Sequence, residues 1–144
     1  MATATPYGQF LISLANGEVD LNSHEIKCLI TDDTYTPNRD THRYLSDVTG
    51  EITGTNYTPG GLILQNPTIG WDTARGRFVF DAEDLLWPTV TLDGIRRAVI
   101  YDNTPATDAT KPLICWSDFG ADQSPTAVNF GITWDTDGIF YIQI

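Results

Sequence analysis

The sequence predicts an all-β chain, a single β-sandwich or jelly-roll-like domain that carries a short N-terminal arm and helix. Three observations predict it. Val128, Phe130, Ile132 and Trp134 stand at every second position, the period of a strand with one buried face. Asp137 and Gly138 then separate this run from a second apolar run, Ile139–Ile144. An Asp-Gly pair in that place signals a hairpin turn, because glycine supplies the positive φ that tight turns need. Short apolar runs recur along the whole chain between Gly, Pro, Asn and Asp clusters, as in sandwiches and jelly rolls.

The elements follow in order. Residues 1–9 have no apolar period and read as an arm; residues 10–144 read as the single β domain. Phe10–Leu14, with Asn16 and Gly17 just beyond, suits a short helix with a glycine stop, a strand being the rival reading. Ile26–Thr31 is a strand. Asp32–Asn38 is a turn-rich loop around Pro37, and Asp40 is placed to cap one helical turn through Tyr44 and Leu45. Glu51–Thr53 is short and extended. Thr58–Gly61 is a breaker cluster. Leu62–Leu64 and Thr68–Trp71 follow. Asp72–Gly76 turns the chain into Arg77–Phe80, a second hairpin. Thr89–Leu92, Ile95–Tyr101 and Leu113–Trp116 complete the strands before the terminal hairpin, residues 126–144. No internal repeat or composition break marks a second domain.

Composition narrows the function. At 144 residues, 41% apolar and 11% aromatic, the chain has enough material for a core without staples. A net charge of −11, from 19 acids against 8 Lys and Arg, repels phosphate backbones and anionic lipid. Nucleic-acid and membrane partners are therefore not expected. No apolar run reaches the roughly 20 residues of a membrane span. Met1–Pro6 lacks the basic and apolar regions of a secretory signal, so synthesis and use from the cytoplasm of the producing cell is expected. Cys28 and Cys115 each sit inside an apolar run and read as small core hydrophobes. A disulfide between their strands is the alternative, disfavoured by a cytoplasmic origin.

Few residues suggest chemistry. His42 lies near Asp40, and a hydrolase would need a nucleophile on the other side; Ser46 is close but has no nucleophile-elbow glycines. His42 reads as a loop-orienting residue bonded to backbone or to Asp40. His24 reads as isolated on the surface. Asp81, Glu83 and Asp84 have the spacing of paired carboxylates or of a calcium loop, but aspartate is also an ordinary turn residue. Asp135 and Asp137 begin like a calcium loop and lack its later acids. No catalytic, cofactor-binding or metal-ligating residue is assigned. Trp71, Trp87, Trp116 and Trp134 read mainly as core, with Trp87, before Pro88, the most exposed of them.

A set of short pieces forms a familiar order: Tyr35–Pro37, Asp40–His42, Ser46–Val48, Tyr57–Gly61, Phe80 and Asp81 with Trp87, Arg97–Tyr101, Asp118–Gly120, and Trp134 with Gly138–Phe140. In that order and spacing the chain resembles a family of small tailed-bacteriophage virion proteins, of the head decoration or minor tail kind, from about Phe10 to Ile144. The resemblance implies a structural protein and not an enzyme. It implies a capsid decoration or cement protein, located on the virion surface, that binds the phage major capsid protein and self-associates, commonly as a trimer. Contacts with partners are expected from the arm, at Ala2, Thr3, Thr5, Pro6 and Tyr7, and from Trp87. The rival readings are a tail or head fibre that touches host surface glycans, a tail-tube or connector component, and a depolymerase.

Overall fold

A computed structural model describes residues 1–144 and is all-β, with ten strands and one α-helix. The strands are β1 (Thr5–Pro6), β2 (Ile26–Thr31), β3 (Leu62–Ile63), β4 (Thr68–Asp72), β5 (Arg77–Asp81), β6 (Leu85–Val90), β7 (Ile95–Asp102), β8 (Leu113–Gln123), β9 (Val128–Ile132) and β10 (Phe140–Gln143); the helix α1 spans Gly8–Ala15. They form three antiparallel sheets, ordered β1-β8-β7-β2-β3, β10-β5-β4 and β6-β9. One cluster of 30 buried apolar residues joins all three, so the sheets share a core.

The centre of the largest sheet is β2 and β7. Ala98–Asp102 are all buried, as are Cys28–Thr31. Neighbouring residues of a strand point to opposite faces, so both faces of this sheet centre are covered. That is why these two runs are continuously apolar and do not alternate.

The first helix ends as expected from Gly17. Its φ is +75°, and the amides of Gly17 and Glu18 reach back to the carbonyls of Leu14 and Ser13. This is the paired bonding of a glycine-terminated helix, which satisfies two orphan carbonyls. The β4–β5 hairpin also forms where Asp72–Gly76 predicts it, with Asp72 opposite Arg77 and Gly76 at φ +64°.

Three expectations are corrected. The terminal hairpin does not form: β9 pairs with β6, and β10 pairs with β5. The turn itself is present, closed by the Gly138 amide on the Asp135 carbonyl, with Gly138 at φ +106°. It carries the chain from one sheet to another. Next, Asp40 caps nothing. The helical turn is Leu45–Asp47, capped by Tyr44, and Asp47 returns its carboxylate to the Tyr44 amide. Last, β6 begins four residues before Thr89 and runs through Trp87 and Pro88. The register slips between Trp87 and Val90, where Thr89 takes φ +48°. A bulge of this kind excuses the missing proline N–H from the ladder.

Candidate functional site

The N-terminal segment, expected as a free arm, is bound within the chain. Ala2 exchanges hydrogen bonds with the strand end at Thr133 and Asp135, and the Ala4 amide donates to the Ile139 carbonyl at 2.7 Å. Thr5 and Pro6 then pair with Trp116 and Cys115 of β8. Tyr7 is fully buried, its ring 4.7 Å from that of Trp116. Backbone groups that pair with two sheets need no apolar period, so no local pattern marks this attachment. Of the expected partner contacts, Thr3 and Thr5 remain exposed, Ala2 and Pro6 are half-buried, and Tyr7 and Trp87 are enclosed in the core. Tyr7 and Trp87 are therefore unavailable to a partner.

His42 orients its loop through a backbone bond, as expected. The Asn38 amide donates to His42 Nδ1 at 3.2 Å, so that nitrogen is an acceptor, and the Tyr35 hydroxyl lies 3.0 Å from it. Tyr35 in turn meets the Tyr7 hydroxyl at 2.7 Å. The chain Tyr7–Tyr35–His42 ties the buried N-terminal segment to the 38–42 loop. Burial, with Tyr35 beside it, pushes the Tyr7 phenol far above its usual range, so it stays a neutral donor. Asp40 takes no part; its carboxylate pairs with Arg39. Ser46 is exposed on the helical turn and bonds to neither His42 nor Asp40.

His24 is not isolated. Its Nδ1 lies 2.6 Å from Oδ2 of Asp102, a fully buried carboxylate at the end of β7. The other oxygen, Oδ1, accepts the Thr104 amide at 2.9 Å. At 2.6 Å the ring proton belongs between Nδ1 and Asp102, and the 3.3 Å approach of the Asp20 amide to the same nitrogen is then not a hydrogen bond. The pairing spans 78 residues, and no local pattern announces it. A carboxylate-held imidazole would suit general-base work, but no serine, threonine or cysteine is bonded to its ring.

The acidic candidates are dispersed among separate tasks. Asp84 Oδ1 accepts the Trp134 amide, Glu83 Oε1 the Asn66 side chain, and Asp81 Oδ1 the Ala82 amide. Asp135 accepts the Asp137 amide within the turn, and Asp137 pairs with Arg75 at 3.0 Å. No three His, Cys, Asp or Glu residues stand close enough to hold a metal ion. Cys28 and Cys115 are free and buried, and each lies opposite Ile100 of β7. A whole strand separates them, so they stand roughly 10 Å apart, beyond disulfide reach.

The surface feature with binding character is the β10-β5-β4 sheet. Its register puts Ile69, Phe80 and Phe140 in one row and Trp71, Phe78 and Ile142 in the next, all on one face. Phe80 and Phe140 are buried, Phe78 and Ile142 are half-buried, and Ile69 and Trp71 stay 48% and 51% exposed. The apolar face thus runs off the covered core at the edge strand β4. That edge has no proline and no lysine to blunt it. The exposed tryptophan is not Trp87, as its position before Pro88 predicts, but Trp71, on a strand whose other face holds only Thr68, Gly70 and Asp72.

No helix is long and apolar enough to cross a membrane. No protein-family profile, no curated protein and no solved structure matches the chain.

Proposed function

We propose that this chain is a bacteriophage virion structural protein that decorates the outer capsid and stabilises the lattice of major capsid proteins. It is made in the host cytoplasm and acts on the virion surface as a homo-oligomer, most simply a trimer. The observation that carries the reading is the uncovered apolar edge of β4, where Ile69 and Trp71 stand about half exposed on a face otherwise built as core. Exposed apolar surface that continues a core face marks contact with another protein. A half-buried tryptophan on a strand edge has the character of a binding anchor. The resemblance of the ordered pieces from Tyr35 to Phe140 supplies the kind of partner.

The dispersal of the histidines and carboxylates among structural bonds favours this reading over a depolymerase. The glycan-binding alternative draws on the same Trp71, since an exposed indole also stacks on sugars. The test is co-sedimentation of the protein with capsids that lack it, beside binding to host cells and polysaccharide. Capsid occupancy that falls at least about tenfold with Trp71→Ser supports decoration. Binding to polysaccharide and not to capsids overturns it in favour of a fibre.

A further inference from the structure

The chain has only two lysines, and both line one cleft. Lys27 lies on β2 and Lys111 just before β8, 84 positions later. They meet at a cavity of about 450 Å³, walled on its apolar side by Leu29, Leu45, Val48 and Pro59. In a chain of net charge −11 this is an uneven use of cations.

Their pairing is uneven too. The six arginines and Lys111 each have a carboxylate within 4.0 Å. Lys27 is the one side-chain cation with none. Its ammonium is not a dangling surface charge. The residue is half-buried and its Nζ lies beside Gly60, where an added Cβ would sit 3.1 Å from Nζ and 3.3 Å from the Tyr101 hydroxyl. Gly60 has φ +96°, so the turn at Thr58–Gly61 is shaped to pass close over this ammonium.

Several of the other polar groups that line the cleft are engaged with the protein itself, Asn103 through its side-chain amide on Glu25. Oε2 of Glu51 accepts the Tyr57 hydroxyl and the Gly60 amide, both at 2.7 Å. The Tyr101 hydroxyl donates to the Gly60 carbonyl. Lys111 has only Asp108, at 3.6 Å, and that carboxylate is 69% exposed. An exposed pair of this length is weak and leaves Lys111 open to a better partner.

We propose that this cleft binds a carboxylate carried on a short hydrocarbon stem. The Lys27 ammonium is the primary partner, Lys111 is the second, and the Leu45, Val48 and Pro59 wall takes the stem. A cation without a close counter-ion gives an incoming carboxylate a charge-assisted hydrogen bond. The apolar wall selects against bare inorganic anions. The carboxylate has two sources, a free short-chain acid or an acidic side chain of a partner protein. The inference stands apart from the proposed capsid role, whose surface is β4.

The test is titration of the isotope-labelled protein, read from the amide resonances of Lys27, Gly60, Tyr101 and Lys111. The probes are hexanoate, its neutral amide, inorganic phosphate and the peptide acetyl-Leu-Glu-Leu-amide. Saturable shifts with hexanoate or the peptide are expected, and the tighter of the two identifies the source. Hexanamide and phosphate should bind at least about tenfold more weakly. Lys27→Met keeps the stem and should weaken carboxylate binding about tenfold. Asp108→Asn, at an exposed position, should tighten it severalfold by releasing Lys111. Equal binding of hexanamide, no saturable shift with either acid, or weaker binding after Asp108→Asn overturns the proposal.

Discussion

The Ala4 amide donates to the Ile139 carbonyl two residues before Pro6 takes its place opposite Cys115. One short segment therefore holds the entry of β10 on one side and the edge of the five-stranded sheet on the other. Tyr7 completes the attachment by burying its ring against Trp116 and bonding its hydroxyl to Tyr35. Tyr7→Ala should cost about 3–5 kcal/mol, the usual range for a buried aromatic. Deleting residues 2–7 should cost at least as much and lower the melting temperature by about 10 °C. Urea and thermal unfolding of the monomer check this. An unchanged melting temperature would mean that the segment is not part of the folded unit.

A second prediction separates the alternating residues of β9. The single buried face that the period predicts is covered only in part: Phe130, Ile132 and Trp134 are buried, with the Phe130 ring 5.9 Å from both Trp87 and Phe119, while Val128, at the start of β9, is 53% exposed. Phe130→Ala should cost about 3–5 kcal/mol. Val128→Ala should stay within about 0.5 kcal/mol, as exposed substitutions do. Comparable losses at both positions would show that the β6–β9 register is wrong.

What was legible in the chain follows from the range of each signal. Apolar runs bounded by turn residues, the Asp72–Gly76 turn and the Asn16-Gly17 stop act over a few residues, and Ile26–Thr31, the β4–β5 hairpin and α1 lie where those signals put them. The Asp137-Gly138 turn was legible as a turn but not as a crossover. A turn fixes local direction, while the partner of each strand is set by distant apolar faces. Trp87 was misjudged for a related reason. Pro88 breaks a ladder viewed locally, and only the bulge against β9 keeps Trp87 inside. The His24–Asp102 pair and the lysine cleft join residues 78 and 84 positions apart, for which one sequence holds no local mark.

The cysteines give a third prediction. Both thiols are fully enclosed, and burial pushes each well above its ordinary value. With β7 between them they cannot join without tearing the sheet. Reductant should leave the melting temperature unchanged. A thiol reagent should label Cys28 and Cys115 only at the rate of global unfolding, so labelling should slow in step with added stability. Rapid labelling of the native protein would place a thiol at the surface.

The last prediction concerns acid. The Tyr44 hydroxyl donates to Glu18 at 2.7 Å, and Arg43 pairs with its other oxygen at 2.6 Å. The bond from Tyr44 leads in holding the Glu18 carboxyl below its usual range, with Arg43 adding to it and partial burial opposing. Asp137 is lowered in the same sense, first by its bond from Arg75. A carboxyl with a lowered folded-state pKa binds its proton more readily in the unfolded chain. Its stabilisation is therefore complete above the unfolded value, about 4.3 for glutamate, and is lost as pH falls through the folded value. The urea midpoint should thus hold level at neutral pH and decline below about pH 5. Glu18→Gln keeps the shape of the side chain and removes the titrating charge. It should lower stability at neutral pH and flatten the decline in acid, so that the variant and the natural chain converge at low pH. Acid limbs that stay parallel would show that Glu18 contributes nothing through its charge, and that the link from the end of α1 to Arg43 and Tyr44 rests on packing alone.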